Sequence, residues 1–151
     1  MPFRICRTFE LENGHMLSRH PDKCRFPHGH SRRVELVLEA ATLDEAGMVC
    51  DFKALKEALG AYLDTYDHAL CMNTTDPAYA EFKSRYGVHV LGFENEEPTT
   101  EVMARTMFHD CRRLLAASAA DPARRYPLRP GVGLISLRLW ETSSTWAEYA
   151  E

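Results

Sequence analysis

The sequence predicts one α+β domain: a four-stranded antiparallel sheet with two helices on one face, in the order ββααββ. Two observations carry that expectation. Near both ends of the chain, apolar residues alternate with polar ones at the period of a half-buried strand, and between them two segments repeat apolar residues at helical spacing. Sheets built from sequential hairpins that bracket their helices are usually antiparallel, with the helices covering one face. The 151 residues, 45% of them hydrophobic, are enough for one core and give no sign of a second.

The first strand is read in "FRICRTFEL", where Phe3, Ile5, Phe9 and Leu11 alternate with polar neighbours. In "SRRVELVLEA", Val34, Leu36 and Leu38 share a face opposite Arg33, Glu35 and Glu39, which gives the second. After a turn at "DEAG", Asp51 is placed to cap a helix of about four turns in which Phe52, Leu55, Leu59, Tyr62, Leu63 and Tyr66 recur. That helix delivers Asp67 and His68 at its end. Residues 73–96 show weak periodicity, with only "VHVLGF" strand-like, and are read as an irregular excursion. A second helix is expected to start at Thr99 or Thr100, after Pro98 and with Glu101 in its first turn, and to run to about Ser118. "LISLRLWE" and "TWAEYA", joined by a "TSS" turn, supply the last two strands. Trp140 and Trp146 on them add apolar bulk beyond what one covered face needs, which points to an oligomer.

A formal charge of −4, without a run of Lys or Arg on any expected face, argues against a nucleic-acid surface and against a polybasic membrane patch. No apolar run approaches the roughly 20 residues that cross a bilayer, and "MPFRICRTFE" lacks the apolar stretch and cleavage site of a signal peptide. A cytoplasmic protein with a small-molecule partner is the expectation. The five cysteines form an odd count without a C-x-x-C pair, so neither a disulfide framework nor a ribbon-type zinc site is indicated. Cys6, Cys50, Cys71 and Cys111 read as small buried hydrophobes.

Chemistry concentrates in "CRFPHGHS", residues 24–31. In an extended segment His28 and His30 point the same way, so two imidazoles can converge on one ion with Gly29 leaving room between them. His15, closing the first strand, is the natural third ligand, since a hairpin returning through residues 16–27 brings that strand end beside His28. His20 competes for the same role but lies in a polar loop with no strand to fix it. Three histidines without a fourth protein ligand leave an open zinc position, as catalytic sites do. The H-x-H spacing alone also fits two surface histidines on a strand. Cys24 is either a further ligand or, beside an already three-coordinate ion, a base or nucleophile. Asp67 and His68 form a pair that can tune an imidazole for proton transfer, or simply end a helix.

"C-x-x-x-H-G-H" preceded by a histidine, then "GMVCDFKALK", "DHALCMN", "PTTE" and "WET", occur in the order found in the 6-pyruvoyl-tetrahydropterin synthase family. The resemblance spans about Leu11 to Tyr149, one domain over residues 1–151, with residues 73–96 as an insertion. The short gap between cysteine and HGH is most similar to the 6-carboxy-tetrahydropterin synthase (QueD) branch. The resemblance implies the tunnelling fold, a four-stranded antiparallel sheet with two helices that trimerises into a barrel and pairs as a homohexamer. It implies a Zn²⁺ cofactor on His15, His28 and His30, with Cys24 as general base and Asp67 and His68 as its acid–base partners. Glu141 would anchor the pterin ring, accepting paired hydrogen bonds from its amino group and N–H, with Thr99 and Thr100 helping to hold it. From the residues alone, Glu141 reads as a polar strand end and the threonines as helix caps.

The implied activity is a zinc-dependent lyase reaction that converts 7,8-dihydroneopterin triphosphate to 6-carboxy-5,6,7,8-tetrahydropterin with loss of acetaldehyde and triphosphate, in the queuosine and deazapurine route. Two alternatives stand beside it: formation of 6-pyruvoyl-tetrahydropterin or cleavage of the dihydroneopterin side chain, and a zinc-stabilised pterin-binding module without activity. The chain departs from the branch pattern at "LENGH", where F-E-A-A-H is common, so Asn13 and Gly14 replace two small apolar residues beside the pocket.

Overall fold

The computed structural model describes residues 1–151. Strands β1 (Phe3–His15) and β2 (His28–Ala40) form a long antiparallel hairpin, paired from Phe3 opposite Ala40 to His15 opposite His28. Helix α1 (Phe52–Asp64) follows, then a short strand β3 (Leu70–Asn73), helix α2 (Tyr79–Tyr86) and strand β4 (Val90–Phe93). Helix α3 (Thr100–Ala120) and strands β5 (Gly133–Trp140) and β6 (Trp146–Ala150) complete the chain. The sheet order is β4-β3-β1-β2-β5-β6.

The expected antiparallel meander is present as β1-β2-β5-β6, but the sheet has six strands and not four, and three α-helices and not two. The difference lies at the segment read as irregular. β3 pairs in parallel with both β1 and β4, and α2 crosses between β3 and β4. Strands of four residues are too short to display a period. α2 buries none of its residues, so it offers no apolar stripe. It is started by its neighbours: Asp76 Oδ1 accepts the Ala78 N–H at 2.8 Å, and the Asp76 carbonyl accepts that of Tyr79 at 3.0 Å.

Both long helices cover one face. Leu36, Leu38, Leu137 and Leu139 from the sheet pack with Leu55, Leu59 and Leu63 of α1 and with Met103, Met107 and Phe108 of α3. The caps fall where the sequence places them. Asp51 accepts from the Lys53 N–H at 2.8 Å, and the Thr99 hydroxyl accepts from the Val102 N–H at 3.2 Å.

The opposite face is charged. Arg138 stacks 3.9 Å from the Trp146 ring and Arg33 4.5 Å from that of Trp140, while Glu35 and Glu148 lie within ion-pairing distance of Arg138. The two tryptophans therefore carry guanidinium groups, and Trp146 remains exposed on this face. Cys6 lies exposed, not buried; burial holds for Cys50, Cys71 and Cys111, whose thiols it pushes up to about 11, 11 and 12.

Candidate metal and acid–base site

The β1–β2 register builds the site. His15 stands opposite His28 and Asn13 opposite His30, and the alternation of side chains sends all three imidazoles to the same side of the hairpin end. Their ligand nitrogens lie within 4.8 Å of one another. Two are fixed from behind: the His15 Nδ1–H donates to the Pro98 carbonyl at 2.8 Å, and the His28 Nδ1–H to the Phe26 carbonyl at 2.7 Å. Those bonds set the tautomer and leave each Nε2 lone pair facing the centre. His28 Nε2 is buried without any partner, and His15 Nε2 and His30 Nε2 are only 3.2 Å apart. An orphaned acceptor beside two others is what a cation would satisfy, so the residues fit a metal ion held by three imidazoles with an open coordination position.

Burial holds His15 down to about 4, helped by the Arg32 cation and opposed by the Pro98 carbonyl, and it lowers His30 in the same way. Both rings are thus neutral near pH 7, the form that ligates.

Glu141, at the end of β5, accepts the Thr100 hydroxyl proton on Oε2 and places Oε1 3.6 Å from His30 Nε2. Burial alone would raise its carboxyl; the Thr100 hydroxyl, His30 and Arg32 outweigh that and hold it below the usual carboxylate range. Thr99 spends its hydroxyl on the α3 cap, its N–H on the Glu97 carbonyl and its carbonyl on Met103. Thr100 is the threonine that faces the site.

Asp67 and His68 form a bonded pair, His68 Nδ1 to Asp67 Oδ2 at 2.8 Å. Asp67 Oδ1 accepts the Glu12 N–H at 2.8 Å and the His68 N–H donates to the Glu12 carbonyl at 2.6 Å, so the pair is clamped to β1. His68 takes a left-handed backbone (φ 56°), which costs roughly 1–3 kcal/mol and is held there by these bonds. The Glu12 N–H and then His68 lower the Asp67 carboxyl, and Asp67 raises the His68 imidazole. The His68 side chain remains 73% exposed. It lines an open cleft of about 570 Å³ whose wall also includes His30, Glu12 and Ser31 and, from the segment 73–96, Phe82, Tyr86 and His89.

Cys24 sits in a short 3-10 turn, Lys23–Arg25, half-buried, with its carbonyl accepting the Leu17 N–H at 2.9 Å. The structure brings the three histidines together and sets Glu141 and Thr100 beside them, and no hydrogen bond joins Cys24 to Asp67 or His68. His20 is apart from the triad, its Nδ1 accepting the Asp22 N–H.

Two residues were not anticipated. Arg32 is 1% exposed, and its guanidinium contacts Asn13, Thr100 and His15. Asn13, noted only as a departure, is buried; its amide donates to the Tyr66 and Ala69 carbonyls and accepts from Arg32. The one available signal was Arg32 on the apolar face of "SRRVELVLEA", in phase with Val34 and Leu36.

Comparison with known proteins bears on this geometry. The chain is 28% identical over 169 residues to a 6-carboxy-5,6,7,8-tetrahydropterin synthase of Aquifex aeolicus, covering 100% of this chain and 99% of that one. It is 35% identical over 149 residues to a putative 6-carboxy-5,6,7,8-tetrahydropterin synthase of Pyrococcus abyssi, covering 96% and 88%. The fold is shared with 6-pyruvoyl tetrahydropterin synthase from Plasmodium vivax, with a TM-score of 0.72 at 14% identity over 100% of this chain and 98% of that one. The family model for 6-pyruvoyl tetrahydropterin synthase matches residues 4–151. From the hairpin that carries the histidine triad to the strand that ends the sheet, the chain belongs to the 6-pyruvoyl tetrahydropterin synthase family.

Proposed function

We propose that this chain is a zinc-dependent lyase of the 6-carboxy-tetrahydropterin synthase type, acting on 7,8-dihydroneopterin triphosphate and releasing acetaldehyde and triphosphate. The observation that carries the reading is the three-imidazole site with its unpartnered His28 Nε2, in a chain whose relatives bear that enzyme name. His15, His28 and His30 would hold the zinc, which when bound supplies Lewis-acid polarisation of the substrate's side-chain hydroxyls. Glu141 accepts the ring's amino and N–H protons, and its ionised carboxylate is the form suited to two parallel bonds. Cys24 takes the carbon-bound proton, and His68, oriented by Asp67, exchanges protons with the side-chain oxygens.

Product analysis by mass spectrometry after incubation with dihydroneopterin triphosphate tests this. The expected product is 6-carboxy-5,6,7,8-tetrahydropterin with acetaldehyde. 6-Pyruvoyl-tetrahydropterin in its place would reassign the reaction within the family, and no turnover by zinc-loaded protein would leave only a binding module.

The assembly we propose is a homohexamer, a dimer of trimers. β4 and β6 are open edges of the sheet, and its charged uncovered face offers stacked Arg33–Trp140 and Arg138–Trp146 pairs. The exposed Asp67–His68 pair, with no hydrogen bond to Cys24 of its own chain, fits a site completed by a neighbouring copy. Sedimentation is expected to give a hexamer; a monomer at micromolar concentration would remove both the assembly and the shared site.

A further inference from the structure

A buried guanidinium without a carboxylate in contact is expensive, because its charge leaves water and nothing directly compensates it. Arg32 is such a group: it is 1% exposed and makes no ion pair. Its Nε donates to Asn13 Oδ1 at 3.2 Å and its Nη1 to Thr100 Oγ1 at 3.1 Å. Nη2 lies 3.3 Å from His15 Nδ1, but that nitrogen already carries the proton given to Pro98, so the two are in contact and not bonded.

The bond to Thr100 has a fixed polarity. Arginine cannot accept, so the Thr100 oxygen must, and the single hydroxyl proton is then left for Glu141 Oε2. The carboxylate is turned so that Oε1 faces the triad at His30, while Oε2 keeps a second lone pair for another donor. We propose that Arg32 is a positioning residue for pterin recognition, orienting Glu141 through the Thr100 hydroxyl, with Asn13 holding the guanidinium from behind. The inference rests on the reading of Glu141 as the ring anchor. It also accounts for the departure at "LENGH": Asn13, tied to the Tyr66 and Ala69 carbonyls, presents the only side-chain oxygen that receives Arg32 Nε.

The test is fluorescence titration with neopterin, an unreactive oxidised pterin, on purified protein with zinc content measured for every variant. Arg32→Met and Thr100→Val are each expected to weaken binding about 10-fold, the scale for losing a bond to a charged group, with zinc retained. Thr100→Ser, which restores the hydroxyl, is expected to recover the affinity that Thr100→Val loses. In a Glu141→Gln background, neither Arg32→Met nor Thr100→Val should cost more than about 2-fold further, since the group they orient is already altered. Should Arg32→Met not fold, the Thr100 variants carry the same test with the arginine in place.

Equal losses in the wild-type and Glu141→Gln backgrounds would overturn the relay while leaving Glu141 as anchor. Wild-type affinity in Thr100→Val, or loss of zinc in step with loss of neopterin, would also overturn it. Wild-type affinity in Glu141→Gln would instead remove the anchor reading, and the relay with it.

Discussion

His30→Ala is expected to purify with most of its zinc gone and its turnover down by about 10³-fold, the scale of several kcal/mol of lost transition-state stabilisation. His15 and His28 are each oriented by a backbone carbonyl, but two imidazoles leave a mobile ion, and His30 closes the set from 3.2 Å away. His20→Ala is the control, because its ring is engaged with the Asp22 N–H inside its own loop and takes no part in the cluster. Metal analysis on both variants decides. A full zinc complement in His30→Ala, with loss in His20→Ala, would reverse the ligand assignment.

Cys24→Ala is expected to keep zinc and pterin binding while losing about 10²-fold or more in turnover, the usual scale for removing a general base. The imidazole set is complete without sulfur, and Cys24 is joined to it only through the loop that ends at the Phe26 carbonyl, which His28 uses. Zinc content and activity measured on the same preparation separate the roles. Zinc lost in step with activity would make the cysteine a ligand; undiminished activity would require another base.

The parts of the fold legible in the sequence were those with a long apolar period. The β1–β2 hairpin, the β5–β6 pair, α1 and α3 all bury a stripe or a face, and burial writes the pattern. β3, α2 and β4 do not: the strands are four residues long and α2 buries nothing, so tertiary pairing and one turn at Asp76 create them. The candidate site divides the same way. H-x-H on an extended strand makes two imidazoles converge by local geometry alone, whereas the Arg32–Asn13 and Thr100–Glu141 bonds join residues 19 and 41 positions apart and leave no local trace. The grouping of Cys24 with Asp67 and His68 comes from the family resemblance and has no local pattern behind it. Within the chain the carboxylate–imidazole pair is bonded to Glu12, a contact that no dipeptide pattern contains.

The hairpin that pairs Phe3 with Ala40 and His15 with His28 makes the site a gauge of alignment. A slip of one residue between β1 and β2 would turn His28 and His30 to the charged face and leave His15 alone, while Arg32 and Val34 would exchange the core for solvent. An ion that needs all three imidazoles binds only the in-register chain, so it subtracts misaligned hairpins from the population by mass action. In that role a metal ion on the triad would proofread strand pairing before taking any part in chemistry, and a chain denied metal during synthesis would lose that check on its longest pairing.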